Sequence, residues 1–186
     1  MAEVRPIAMG IAAHRVATPG DGVPGADFKD LPLPQKNAVV FNFSDPTEVR
    51  IDLEGSSDPL YSGFVKDTTD FIEVSIPTPD NATIQKLAGG VHDKTEVESD
   101  TNDEWQEPFE GVPDINFTYQ CETVPRNGSK VIYTIVNSKV LAKISQAPTA
   151  DNPELLLVRF YKQAAISAAG VKGYAFSRKV VAVPAV

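Results

Sequence analysis

The chain has 186 residues, with 25 acidic and 17 basic side chains, a formal net charge of −8 and one cysteine, Cys121. This length suits a single domain, residues 1–186, able to bury about 70% of its extended surface without staples. The charge argues against a general nucleic-acid binder, the lone cysteine excludes an internal disulfide and Cys-based zinc sites, and no run of about 18 apolar residues offers a membrane span.

The opening stretch MAEVRPIAMGIAAHRV is broken by Glu3, Arg5 and Pro6, so it is not expected to act as a secretory signal. Residues 17–36 carry four prolines and three glycines around Phe28 and read as an extended arm. NAVVFNF (37–43) is rich in strand formers. TEVRIDLE (47–54) alternates strictly, with Val49, Ile51 and Leu53 on one face and Glu48, Arg50, Asp52 and Glu54 on the other. Ser44-Asp45-Pro46 between them is a turn signal, so the two are expected to form a hairpin. DFIEVSIP (70–77) alternates again, placing Ile72, Val74 and Ile76 inward. A short helix is expected over 79–88, with Thr78 as N-cap, Pro79 at the first position and Gly89-Gly90 as the stop. About ten residues do not hold a helix alone, so it must dock on a sheet.

Residues 91–113 form an acidic stretch with Trp105 and Phe109 embedded in it, and they read as a long loop. INFTYQCE (115–122) puts Ile115, Phe117, Tyr119 and Cys121 inward and Asn116, Thr118, Gln120 and Glu122 outward. Asn127-Gly128 turns the chain into a strand over 130–144, with the flanking Val-Pro-Arg suggesting a loop of more than two residues. Residues 154–164 are apolar on both faces and read as a central strand, and 173–183 as a closing one. The expected fold class is mainly β: a two-sheet β-sandwich or barrel with one short docked helix and long loop arms.

Charge is unevenly distributed. Residues 93–110 hold eight acids and one base, whereas 129–186 hold two acids and eight bases. Such asymmetry marks a partner surface, or equally two solvated faces. The catalytic inventory is thin. His14 and His92 are the only histidines, and His92 has Asp93 beside it as an orienting carboxylate. Asp100, Asp103 and Glu104 offer oxygen ligands without the spacing of a calcium loop. Cys121, on an apolar strand face, reads as a buried thiol. Nucleophile-elbow, phosphate-loop and dinucleotide-binding motifs are absent from the sequence, so no enzyme activity, no metal and no cofactor are expected. Trp105 and Phe109 flank Gln106-Glu107-Pro108 and are expected to anchor the segment or to meet a subunit.

The alternating strand running into one docked helix, DFIEVSIPTPDNATIQKLAGG (70–90), resembles the tube-forming proteins of bacteriophage tails and related injection and secretion systems. The Gly/Pro-rich arm before Lys36, the acidic segment after Gly90 and the closing strands support the resemblance. It implies a structural subunit that assembles into hexameric rings stacked as a hollow tail tube, in a virion tail built in the host cytoplasm. Its partners would be other copies of itself and other tail proteins, with DNA passing through without tight binding. On this resemblance Glu48, Asp52, Glu54, Asn116 and Gln120 are candidates for the channel wall. Phe28, Asp100, Asp103, Glu104, Trp105, Phe109, Arg159, Lys172, Arg178 and Lys179 are candidates for subunit contacts. Two alternatives fit the same residues: a monomeric carbohydrate- or receptor-binding module, and a tail-terminator or capsid decoration protein.

Overall fold

In the computed structural model, residues 6–66, 69–97 and 100–183 are described, with Val97 and Asp100 defined by their backbone alone. The chain is mainly β and antiparallel, a sandwich-like fold that does not close into a barrel. The main sheet has eight strands. Seven follow one path: β2 (Lys29–Asp30), β1 (Ile11–Ala17), β9 (Asn116–Thr123), β10 (Ser129–Gln146), β11 (Leu155–Lys162), β6 (Phe71–Pro77) and β3 (Val39–Asn42); β12 (Phe176–Ala182) also pairs with β10. Two hairpins form separate small sheets: β4 (Thr47–Asp52) with β5 (Pro59–Val65), and β7 (Val91–Val97) with β8 (Asp100–Gln106).

β10 pairs with β12 over its first half and with β11 over its second, while β9 runs along its other side. A register slip between Ile135 and Ser138 bends the sheet. Tyr119 of β9 and Phe160 of β11, two strands apart, therefore stack with centroids 4.0 Å apart, where a flat sheet would separate their strands by about 9.5 Å. Ile72, Val74 and Ile76 are buried as their alternation predicts, and β11 is the apolar central strand expected between two neighbours. Ile84 and Leu87 of the helix α1 (Asn81–Ala88) complete the core.

Several expectations change. The hairpin expected from 37–43 and 47–54 does not form: β3 pairs with β6, and β4 pairs with β5. The Ser44 amide and hydroxyl bond to the Asp70 carboxylate, so Ser44-Asp45-Pro46 redirects the chain instead of reversing it. The helix starts two residues later than expected. Thr78 donates its amide to the Glu154 carbonyl just past the end of β6 and takes a left-handed φ of 43°, and Asp80 becomes the N-cap. The 91–113 loop is in large part the β7–β8 hairpin. The Asn127-Gly128 turn is a tight two-residue turn closed by the Arg126–Ser129 bridge, both central residues having positive φ. Thr118 and Glu122, expected outward, are buried because β9 is a central strand covered on both faces. The arm packs on its own domain: the Leu31 amide bonds to the His14 carbonyl, the Gly25 amide to Thr118 Oγ1 and the Gln35 amide to the Ser75 carbonyl.

Asp70 is buried at the root of the β4–β5 hairpin, where Lys66 Nζ at 2.7 Å and Lys162 Nζ both donate to it. Burial raises its pKa, but the bonds from Lys162, Lys66 and Ser44 outweigh that and bring it down to about 2. A carboxylate held below its unfolded value stabilises the fold at pH above about 4, and the gain fades as pH falls toward 2. Acid titration of thermal stability should therefore show a loss of up to about 2 kcal/mol across that window. Asp70→Asn should lower stability at neutral pH and flatten this part of the profile; an unchanged profile would show that Asp70 does not carry it.

Candidate assembly surface

The functional candidates fall on three structures: the β4–β5 hairpin, the β7–β8 hairpin with the segment after it, and the basic closing strands. In β4–β5 the register sets Val49 opposite Gly63, Ile51 opposite Tyr61 and Glu48 opposite Phe64. Strand alternation puts Val49, Ile51, Tyr61 and Val65 on one face and Glu48, Arg50, Asp52 and Ser62 on the other, where the exposed Phe64 stands opposite Glu48. The polar face is internally bonded: Arg50 pairs with Asp52 at 2.6 Å, and Ser62 Oγ donates to Glu48 at 2.7 Å. Its strict alternation predicts a half-buried strand with one wet face, but β4 is exposed along its whole length and Leu53 beyond it is exposed as well, so the apolar face of 47–54 is uncovered too. Glu54 lies in the connecting turn.

The second candidate wall, in β9, divides differently. Asn116 is exposed at the strand's start, but Gln120 is half-buried with its amide donating to Thr134 Oγ1 at 3.2 Å. Glu122 is buried against Lys130 and Arg15. The 115–122 face is thus interior sheet surface in which only Asn116 is exposed.

The acidic hairpin is anchored at one end. Trp105 Nε1 donates to the Gly89 carbonyl at 2.8 Å, which satisfies a backbone group at the helix C-terminus. Gly90 permits the approach, with φ at 90° and the Gln106 carbonyl only 2.2 Å from where a Cβ would stand. Asp103 accepts bonds from Asn81 and contacts His92 Nε2 at 2.9 Å, and the Asn81 bond chiefly holds its carboxyl below the usual range. His92 is therefore oriented across the hairpin by Asp103 and not by the adjacent Asp93. Glu104 is exposed and bonded to Gln106. Asp103 and Glu104 alternate across the strand, so their carboxylates diverge, and the Asp100 side chain lies outside the described residues. Phe109 is fully exposed.

Among the basic candidates, Arg159 is engaged within the chain. It bonds to Glu73 at 2.7 Å, which raises its pKa, and lies over the Phe71 ring. Lys172, Arg178 and Lys179 are exposed and make no ion pair among the described residues. Phe28, in the arm, is half-buried. Cys121 is buried, and burial pushes its thiol up to about 12, away from nucleophilic use. The structure thus leaves an acidic hairpin, an uncovered amphipathic hairpin and, on the closing strand β12, cations with no ion-pair partner among the described residues. No family model matches the chain, and no curated protein matches it.

Trp105 is the sole tryptophan, so its fluorescence reports on the root of the acidic hairpin. Trp105→Phe keeps most of the packing but removes the bond to Gly89, which should cost about 1 kcal/mol in a thermal or urea melt. Phe109→Ala should leave the same melt unchanged. Equal losses from both would show that the two aromatics are not divided into anchor and free surface in this way.

Proposed function

We propose that the chain is a structural subunit that self-assembles into stacked rings forming a hollow virion tail tube through which the genome passes. The observation that carries this reading is the pair of hairpins, one amphipathic with its apolar face uncovered, the other acidic, on a chain whose closing strand presents cations with no ion-pair partner among the described residues. A solitary domain gains nothing from an exposed apolar hairpin, because a two-stranded sheet is marginal in water without cover. A head-to-tail assembly supplies that cover and sets acidic against basic surfaces.

The wet face of β4, with Glu48 and Asp52, is the better candidate for the channel wall once Gln120 and Glu122 are accounted for inside the sheet. Carboxylates there repel phosphates and let a nucleic acid slide instead of binding. Arg50 and Asp52 pair and cancel, so the negative charge of this face rests on Glu48. Asp103, Glu104 and Phe109 on one copy, and Lys172, Arg178 and Lys179 on the next, are the proposed contact residues. Trp105 and Arg159 serve by holding the scaffold behind them. The monomeric carbohydrate-binding alternative is less well supported, because the Trp105 indole N–H is already bonded to Gly89.

Negative-stain electron microscopy at high protein concentration and low salt should show hollow tubes or stacked rings. Raising the salt from about 0.1 M to 1 M cuts the screening length from about 10 Å to 3 Å and should dissolve them. Uniform small particles under every condition would overturn the reading in favour of a solitary binding module. Closed single rings that never stack would favour a tail-terminator or decoration protein.

A further inference from the structure

We infer that the β4–β5 hairpin of one chain seats its apolar face in a groove of a second copy, the groove bounded by residues 8–11, residues 33–38 and β3. This rests on the self-assembly reading but not on the assembly being a tube.

The hairpin side is built for contact. Val49, Ile51, Tyr61 and Val65 share one face, and each is between 44% and 56% exposed. Tyr61 lies across Gly63, its hydroxyl oxygen 2.6 Å from where a Cβ on that glycine would stand, so any larger residue at 63 would disturb the surface. No strand of the main sheet pairs with this hairpin among the described residues. Its strands have only each other, which leaves the apolar face to be covered from outside.

The groove side has complementary chemistry. Its volume is about 670 Å³. Apolar walls come from Met9, Leu33, Val39, Phe41 and Tyr133, with Met9 57% and Leu33 58% exposed. Its charged lining residues are Lys36 and Arg126, both cations, and neither forms an ion pair among the described residues. The hairpin region 44–66 carries five acids against two bases. Both bases are engaged within their own chain, Arg50 by Asp52 and Lys66 by Asp70. The turn carboxylates Glu54 and Asp58 have no cationic partner among the described residues, and they are placed to meet Lys36 and Arg126 of the next copy.

Charge selects the occupant. Hairpin against hairpin would set acid against acid, and groove against groove would set cation against cation. Hairpin into groove matches both the apolar and the charged parts. Because these are different patches of one chain, the contact is heterologous and propagates to a ring or filament.

The test uses thiol cross-linking, with native Cys121 fully buried and therefore silent. Ile51→Cys and Leu33→Cys are separate full-length variants at exposed positions, each checked by its thermal melt, with Met9→Cys as a second groove variant. A short bis-maleimide added to the mixed hairpin and groove variants should give at least about ten times more cross-linked dimer than either variant alone. The double variant Ile51→Cys/Leu33→Cys should give a ladder of multimers. Lys36→Glu with Arg126→Glu should abolish the ladder, and Glu54→Lys with Asp58→Lys added to it should restore it. A dimer from Ile51→Cys alone, a cross-link within one chain, or no cross-link would overturn the inference. Tubes that persist in the Lys36→Glu/Arg126→Glu protein without cross-links would overturn it while leaving the tube reading intact. A ladder without tubes would support it and overturn the tube.

Discussion

The architecture depends on one strand serving two neighbours on the same edge. β10 runs for 18 residues, about 60 Å if straight, and no strand of that length stays flat in a twisted sheet. The chain resolves this by slipping register between Ile135 and Ser138. A slip frees backbone groups that must find other partners. Here side chains supply them: Thr118 Oγ1 donates to the Val136 carbonyl and Ser138 Oγ to the Phe117 carbonyl. With the bend satisfied in this way, β11 can leave where β12 arrives. Tyr119 and Phe160 then meet face to face, and the core gathers around them.

Around this bend, polar side chains, some buried and some exposed, act as roots for other parts of the chain. Asp70 ties the base of the β4–β5 hairpin to β11 through Ser44 and Lys162. Glu122 ties β1 to β10 through Arg15 and Lys130. Trp105 and Asp103 tie the acidic hairpin to α1. A buried ion pair is weak evidence of net stability, since desolvation consumes much of its attraction. Its clearer effect is geometric, because a segment whose root is fixed points one way. Hairpins aimed in advance lose less conformational freedom on docking, which is the largest avoidable cost of association.

Much of this was legible in the residues. The alternation of Ile72, Val74 and Ile76, the residues Leu155, Leu156, Val158 and Phe160 of the apolar run 154–164, and Ile84 with Leu87 on a short helix stand in the core as their spacing demands. What failed had physical reasons. The paired hairpin of 37–54 was misread because a turn signal states that the chain bends, not which strand it will meet; Asp70, far along the chain, decides that. β5 lay in view, since Leu60, Tyr61, Phe64 and Val65 follow a Gly-Ser-Ser-Asp turn. β7 and β8 are too charged for their propensity to reveal them, and a tryptophan bond at their root holds what composition disfavours. Outward Thr118 and Glu122 were assigned by alternation alone, which distinguishes two faces but not whether both are covered. Among the candidate site residues, sequence charge located the cations Lys172, Arg178 and Lys179, which have no ion-pair partner among the described residues. It did not show that Arg159 is already spent on Glu73. The groove around Leu33 and Phe41 had no sequence signal, because four distant segments build it.

A chain of net charge −8 resists its own association, so the segregation of that charge matters more than its sum. Uniformly spread acids would repel in every orientation. Placing about half of them in and beside two hairpins and cations on the closing strand and in the groove would, in the proposed assembly, make one family of orientations attractive and penalise face-to-face pairing of like surfaces. The apolar face supplies a different quantity. Burial at about 25 cal/mol per Å² acts in any orientation that excludes water, and it is insensitive to charge order. In the proposed contact, affinity and direction then come from separate features of the same hairpin, Val49 and Ile51 for the first and Glu54 and Asp58 for the second. Reversing the turn carboxylates should therefore alter which copies pair while leaving the fold alone, whereas removing the apolar face should weaken every pairing equally.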